Sequence, residues 1–150
     1  MTQVARKHFE VRSARNAEFF RSDYPWAAIS ISSGHECPLL SEDNRVGLLR
    51  LVFDDITQPD TPESFTPAQA AELLDFVASV WDKVDVFLIH CDAGLSRSPA
   101  VAAALSRIYY GDDGQWFELD FPGLRQNSWV NWGRFGEFRV GFLRNGRANE

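Results

Sequence analysis

Several features are scarce in this chain of 150 residues, and each scarcity excludes a class of protein. No apolar run approaches the roughly 20 residues of a membrane-spanning helix, so the sequence predicts no membrane partner. Acidic residues outnumber basic ones, and the net charge of −6 argues against binding to nucleic acid or to anionic lipid head groups. Internal repeats and low-complexity stretches are missing too, which excludes repeat architectures.

The residues that are present are typical of one α/β domain covering positions 1–150. Apolar residues make up 45% of the chain, and 12 Phe and 5 Trp are available to fill a core. Apolar strand-like segments alternate with helical ones, which predicts a single domain with a central, mostly parallel sheet flanked by helices. Strands are expected at residues 7–13, 26–32, 46–53 and 84–89, and helices at 14–21, 67–81 and 98–110.

Two of these helices carry clear boundary signals. Thr66 has the character of an N-cap, Pro67 suits the first helical position, and Gln69 completes a capping box. Gly111 directly follows the Ala-rich segment and is expected to end it.

The most informative segment lies where the last predicted strand meets the last predicted helix. Residues 89–99 read Ile-His-Cys-Asp-Ala-Gly-Leu-Ser-Arg-Ser-Pro, so Cys91 follows a buried strand and a tight loop leads into a helix. Inward-turned amides and a helix N-terminus bind anions, and the same field favours a thiolate at Cys91. Ligands of such sheets bind at the carboxyl ends of strands. Asp54 and Asp55 lie at another of these ends.

This segment resembles the signature of the cysteine-dependent protein tyrosine phosphatases, because His90-Cys91 is followed after five residues by Arg97-Ser98. The small dual-specificity branch is the most similar, and a looser resemblance extends over residues 28–138. The resemblance implies an enzyme that acts on phosphotyrosine, and also on phosphoserine and phosphothreonine, through a phosphocysteine intermediate. It implies no metal and no other cofactor. The partner would be a phosphorylated protein or a small phosphoester, and the oligomeric state is left open.

The resemblance also implies roles for individual residues. Cys91 would be the nucleophile, and Arg97 would hold two phosphate oxygens with its planar fork. Ser98 would donate to the Cys91 sulfur, although Ser98 before a proline is also a good N-cap. His90 would fix the loop through hydrogen bonds. The expected phosphate-binding residues are Asp92, Ala93, Gly94, Leu95, Ser96 and Arg97.

The leaving group needs a proton, and the family takes it from an aspartic acid on a loop after an earlier strand. Asp54, Asp55 and Asp60 all lie in the corresponding loop. Asp55 is favoured because it lies just past the strand, whereas Asp60 has the more typical spacing from Cys91 but lies within a proline-flanked turn.

Three further residues have weaker expectations. Asp92, next to the nucleophile, should disfavour highly charged lipid head groups. Cys37 lies in a loop that in a few relatives supplies a protecting disulfide, but a thiol without a role is the simpler interpretation. Asn127 resembles an asparagine that braces the active-site end, although Gln126 stands where the family commonly has proline.

Two rival functions remain open from the sequence. A rhodanese-like sulfurtransferase also has a cysteine in an anion-binding loop, but that loop seldom ends in Arg-Ser. A non-catalytic pseudophosphatase would bind phosphate without turnover, although such proteins usually lose the cysteine or the arginine. The chain has only two cysteines, one of them needed as a thiolate, which points to a reducing compartment and hence to the cytoplasm.

Overall fold

The structure is a computed structural model that describes residues 7–34, 37–53, 65–92 and 97–111. These residues form a four-stranded sheet in the order β1-β4-β2-β3, and every strand pair is parallel. The predicted fold class, a parallel sheet flanked by helices, is therefore confirmed. The elements are β1 (His8–Ser13), α1 (Ala14–Ala17), β2 (Trp26–Ser32), β3 (Arg45–Val52), α2 (Pro67–Val80), a 3-10 turn (Trp81–Lys83), β4 (Val86–Cys91) and α3 (Arg97–Tyr110).

The position of each strand follows from its apolar pattern. All seven residues of β2 are buried, and so are the last five of β4, as expected for central strands covered on both faces. The outer strands β1 and β3 contain buried and exposed residues in the same element, which fits edge positions. The N-terminal segment is thus an edge strand, as its sequence predicts.

Helices α2 and α3 pack on one face of the sheet, which we call the α2–α3 face. Its core contains Leu73 and Val77 of α2, Leu105 of α3, and Ile29 and Phe87 of the central strands. The helix α2 comes close to β3 at Gly47, where an added Cβ would lie 3.1 Å from the Phe76 ring. Glycine at this position therefore sets the distance between helix and sheet.

The opposite face, which we call the α1 face, carries a smaller cluster. Ala17 and Phe20 from the α1 region and Leu40 pack there against Trp26 and Leu88. The helix α1 is four residues long, shorter than the predicted span of 14–21. After it, the amides of Phe19 and Phe20 bond to carbonyls three residues back, and this tight turn directs Phe20 into the cluster.

The two predicted helix boundaries are confirmed. The amide of Gln69 donates to Thr66 Oγ1 over 3.1 Å, and the Thr66 amide donates to Gln69 Oε1 over 3.0 Å. At the end of α3, Gly111 has a φ of 76° and its amide donates to the Arg107 carbonyl over 2.9 Å. None of the helices among the described residues has the length and apolarity to cross a bilayer.

The carboxyl ends of the strands meet along one edge of the sheet. There, Ser13 of β1 pairs in register with Cys91 of β4, and the Phe53 amide donates to the Ser32 carbonyl over 3.0 Å. The amide of Ala14 also donates to the Asp92 carbonyl over 3.1 Å. This edge therefore gathers the ends of all four strands around Cys91.

Candidate active site

Cys91 is the last residue of β4, and 2% of it is exposed. Its side chain lies on the α2–α3 face, where Cys91 Sγ is 3.1 Å from Ser98 Oγ. Ser98 is fully buried in the first turn of α3. The helix begins at Arg97, so the interpretation of Ser98 as an N-cap is wrong, and its hydroxyl is directed at the sulfur instead.

Arg97 joins three strand ends through its guanidinium group. Nη1 donates to Ser33 Oγ and to the Phe53 carbonyl, both over 2.8 Å, and Nη2 donates to Asp92 Oδ2 over 3.1 Å. Only 6% of Arg97 is exposed. These contacts fix the plane of the guanidinium beside the start of α3.

The third nitrogen of the Arg97 guanidinium makes no such contact. Arg97 Nε is buried and has no hydrogen-bond partner in the part of the chain that the structure describes. A buried donor without a partner costs about 1–3 kcal/mol, and more when it is charged, so it calls for a physical reason. A bound anion would supply the missing acceptor, and a guanidinium holds phosphate oxygens in pairs.

His90 lies on the other side of β4 and is completely buried. His90 Nε2 is 2.7 Å from Ser30 Oγ, and His90 Nδ1 is 3.4 Å from the Cys91 carbonyl oxygen. Burial lowers the pKa of His90 below its ordinary 6.5, and the charge of Arg50 acts in the same direction. The bond to Cys91 and the charge of Asp92 oppose this shift without cancelling it. The lowered pKa favours the neutral form of His90, which lies beside Cys91 and is hydrogen-bonded on both ring nitrogens.

Solved structures share this architecture, although no family model and no curated protein matches the chain. Tk-PTP in its active form is 20% identical over 94% of this chain and 93% of that one, with a TM-score of 0.59. Human DUSP28 is 18% identical over 95% of each chain, with a TM-score of 0.59. PTPMT1 in complex with PI(5)P is 18% identical over 81% of each chain, with a TM-score of 0.54.

The chain has the fold of the cysteine-dependent tyrosine and dual-specificity phosphatases. Its likeness to a small dual-specificity phosphatase, expected from ten residues around Cys91, is confirmed at the level of the fold. In this phosphatase fold the candidate nucleophile and arginine lie at the carboxyl edge of the sheet, as the position of the motif predicts.

Several predicted site residues lie outside the described residues, and their roles stay predictions. They are the candidate acids Asp54, Asp55 and Asp60, the loop residues Ala93, Gly94, Leu95 and Ser96, and Asn127 with its neighbour Gln126. One contact bears on the acids. Phe53, whose carbonyl accepts from Arg97, directly precedes Asp54 in the chain.

Cys37 lies on the α1 side of the same edge. Cys37 Sγ donates to Ser32 Oγ over 3.6 Å, and the thiol is half-buried. A cavity of about 350 Å³ lies between the α1 region and residues 37–39. It is lined by Ala14, Arg15, Glu18, Cys37, Pro38 and Leu39. Within the described ranges, no group of three or more His, Cys, Asp or Glu side chains could hold a metal ion.

Sequence reasoning missed the polar residues that support the site from the neighbouring strands. Ser30, Ser33 and Arg50 have no motif, yet Ser33 accepts from Arg97 and Ser30 bonds to both Arg50 and His90. The available signal was two serines inside the otherwise apolar strand β2. A buried hydroxyl needs a hydrogen-bond partner, so Ser30 and Ser32 already pointed to polar neighbours at this end of the sheet.

Proposed function

We propose that this chain is a phosphomonoester hydrolase, most suited to phosphotyrosine in proteins and also acting on phosphoserine and phosphothreonine. The observation that carries the proposal is the pairing of Cys91 with Ser98 beside the buried, partly unpartnered guanidinium of Arg97. A thiol, a hydroxyl directed at it and a fixed guanidinium are the groups that phosphate transfer through cysteine requires.

In the first step, the Cys91 thiolate attacks phosphorus and a P–S bond forms. The bond between phosphorus and the ester oxygen breaks, and the leaving oxygen takes a proton from an aspartic acid. Arg97 binds phosphate oxygens through Nε and Nη2, and its charge stabilises the transferring group. The product of this step is a phosphocysteine and a free phenol or alcohol.

In the second step, water attacks the phosphorus and the P–S bond breaks. The aspartate, now ionised, accepts the proton from the water, and the sulfur leaves as a thiolate. The Ser98 hydroxyl, 3.1 Å from Cys91 Sγ, donates to that thiolate and makes it a better leaving group. Inorganic phosphate then dissociates, and the enzyme returns to its starting state.

Asp55 is our candidate for the acid. Arg97 holds the Phe53 carbonyl, so the chain enters the acidic loop next to the phosphate position. Asp54 and Asp55 come one and two residues later, and their nearness along the chain favours them over Asp60. Asp54 remains the alternative because it is the acidic residue next to Phe53 in the chain.

Substrate choice rests on Asp92. PTPMT1 shows that this fold accommodates PI(5)P in that protein, so the fold alone does not decide between lipid and protein substrates. Here the Asp92 carboxylate lies 3.1 Å from the arginine that would bind phosphate. Each further phosphate on a ligand would approach this negative charge, which favours a substrate with a single phosphate group. A thiolate nucleophile also suits the reducing cytoplasm, where we place the protein.

Hydrolysis of a small aryl phosphate tests the function. The wild-type protein should turn over in the presence of a chelator, vanadate and thiol alkylation should abolish the turnover, and Cys91→Ser should be inactive while still capturing phosphorylated proteins. A thiosulfate:cyanide assay run in parallel should give no product. Sulfur transfer without phosphate release would replace our proposal with the sulfurtransferase, and phosphate binding without turnover would replace it with the pseudophosphatase.

A further inference from the structure

We infer that Arg50, an exposed residue of β3, is a positioning residue for Cys91 and acts through Ser30 and His90. Its effect on catalysis rests on the proposed function, whereas its effect on the reactivity of the thiol does not. None of the motif residues around Cys91 suggests this role, because Arg50 lies two strands away.

The inference begins with a continuous row of hydrogen bonds across three neighbouring strands. Arg50 Nη1 donates to Ser30 Oγ over 3.0 Å, Ser30 Oγ is 2.7 Å from His90 Nε2, and His90 Nδ1 is 3.4 Å from the Cys91 carbonyl oxygen. Ser30 is the register partner of both Arg50 and His90. The three side chains therefore lie side by side on the α1 face, opposite the face that carries the thiol.

The chemistry of the donors gives this row a direction. A guanidinium can only donate, so the Ser30 oxygen accepts from Arg50. If the Ser30 hydroxyl donates to His90 Nε2, the proton of the neutral imidazole lies on Nδ1 and faces the Cys91 carbonyl. In the other tautomer, the lone pair of Nδ1 would face the lone pairs of that carbonyl. The arrangement anchored by Arg50 is thus the one that holds the Cys91 carbonyl.

The charged side chains around His90 affect whether its ring is neutral, as this arrangement requires. Arg50 disfavours a second proton on the ring, as burial does, while Asp92 at the end of β4 favours it. On the other side, Arg12 of β1 is the register partner of His90, but its guanidinium is held by Glu10 and by the Asn16 carbonyl. Among the described residues that face His90, Arg50 is the cation that joins the row.

Holding the Cys91 carbonyl matters because this carbonyl belongs to the peptide group that links Cys91 to Asp92. A carbonyl bonded on the α1 face fixes the backbone from which the Cys91 sulfur projects on the opposite face. Without Arg50, the Ser30 proton loses its fixed direction and the imidazole can take either tautomer. Loss of one such hydrogen bond should slow the reaction of Cys91 with an alkylating agent at acidic pH about three- to ten-fold.

A purely structural role is the competing explanation. Arg50 Nη2 also lies 3.4 Å from the Pro38 carbonyl and could serve only to tether that segment. Arg45 offers a matched control on the same strand, because its Nη1 donates to the carbonyls of Leu40 and Ser41. Arg45 thus tethers the same segment without touching Ser30.

The experiment measures the rate of Cys91 alkylation by iodoacetamide from pH 4.5 to 8.5. Every protein carries Cys37→Ser, which leaves Cys91 as the single thiol. We expect Arg50→Gln to move the pH midpoint of alkylation upward by about half a unit to one unit. Arg50→Lys should restore part of the shift, and Arg45→Gln should leave the midpoint unchanged. Nitrogen chemical shifts of the His90 ring should report Nδ1–H in the parent protein and a tautomer mixture in Arg50→Gln.

The outcomes separate the two explanations and the two proposals. Equal midpoints in Arg50→Gln, Arg45→Gln and the parent would overturn the inference, whatever happens to their melting temperatures. A shift in Arg50→Gln without any phosphoester hydrolysis by the parent would keep the positioning role and remove the proposed function. If the parent hydrolyses phosphoesters but Arg50→Gln has the same alkylation midpoint and the same His90 tautomer as the parent, the proposed function stands and the positioning role of Arg50 is wrong. Because Arg50 is exposed, its variants should fold. The test therefore does not depend on Ser30→Ala, which changes a buried residue.

Discussion

The two faces of the sheet serve Cys91 in different ways. On the α2–α3 face, a broad apolar core surrounds the thiol, and the polar residues beside it are Ser98 and Arg97 at the start of α3. On the α1 face, the apolar cluster is smaller, and a polar row of Arg50, Ser30 and His90 occupies the carboxyl end of the sheet.

This difference shows how the side chain and the backbone of one residue are held from opposite faces of the sheet. The side chain of Cys91 belongs to the first face, where it lies against a hydroxyl and near a guanidinium. Its backbone carbonyl is held from the second face. A thiolate at this position would need both, since a donor such as the Ser98 hydroxyl can stabilise the sulfur only while the backbone holds the side chain in place. Substitutions on one face, or at the carboxyl edge where the two faces meet, should therefore have separable effects.

The largest effect should come from the acid that protonates the leaving group. If Asp55 protonates the leaving group, Asp55→Asn should slow hydrolysis of a tyrosyl or alkyl phosphate by about 10²–10⁴-fold, but hardly affect an ester with an acidic phenol. The basic limb of the pH–rate profile should disappear as well. Asp54→Asn and Asp60→Asn are the matched controls. The same pattern in Asp54→Asn alone would move the assignment by one residue, and its absence in all three would place the acid outside this loop.

On the α2–α3 face, Arg97→Lys should lower kcat by about 10²–10³-fold. Lysine keeps the positive charge but lacks the planar fork, so it cannot present two nitrogens to phosphate oxygens while a third donates to Ser33 and the Phe53 carbonyl. Steady-state kinetics with an aryl phosphate measures the effect. A change restricted to KM would mean that Arg97 contributes to binding alone.

The sequence predicts the α2–α3 face better than the α1 face, for physical reasons. Strand β2, the capping box of α2 and the end of α3 at Gly111 depend on local patterns that a single segment carries. The contact between Cys91 and Ser98 is similarly local, because the two residues lie seven positions apart in the chain. Such features need no knowledge of distant strands.

The row on the α1 face depends on strand order instead. Ser30 meets His90 and Arg50 because β2 lies between β4 and β3, and the chain alone does not state that order. The short helix α1 is another such case, since its end depends on the burial of Phe20 beside Trp26. The sequence predicts the start of α3 one residue late for a local reason: Ser98-Pro99 has the pattern of a helix start, although Ser98 lies inside the first turn.

A smaller effect is expected at Asp92, which lies between the two faces. About 40% of its side chain is exposed, and its carboxylate occupies one hydrogen of Arg97 Nη2 that a phosphate oxygen could use. Asp92→Asn should therefore strengthen inhibition by inorganic phosphate or vanadate by several-fold, with a weaker dependence on salt. Asp82, an exposed acid on the 3-10 turn, gives the control variant Asp82→Asn, which should change neither property. Unchanged inhibition in Asp92→Asn would show that the carboxylate does not compete with the ligand.

The smallest effect should be the contribution of His90, on the α1 face, to the pH dependence of the free energy of unfolding. Burial lowers the pKa of His90 in the folded protein below the 6.5 of an unfolded chain, so above pH 6.5 the ring is neutral in both states. As the pH falls through 6.5, His90 binds a proton in the unfolded chain but not in the folded protein. The free energy of unfolding therefore decreases until the pH reaches the lower pKa that His90 has in the folded protein.

The loss cannot exceed about 1.4 kcal/mol per pH unit from a single group. Urea unfolding between pH 7.5 and 5.0 measures it, with His90→Asn as the comparison. Asparagine is smaller and lowers stability at every pH, but it retains an amide donor and does not titrate. We therefore expect the free energy of unfolding to fall less steeply with decreasing pH in His90→Asn than in the parent. Parallel curves would mean that His90 is protonated equally in both states, and the neutral imidazole assigned to the polar row would then be wrong.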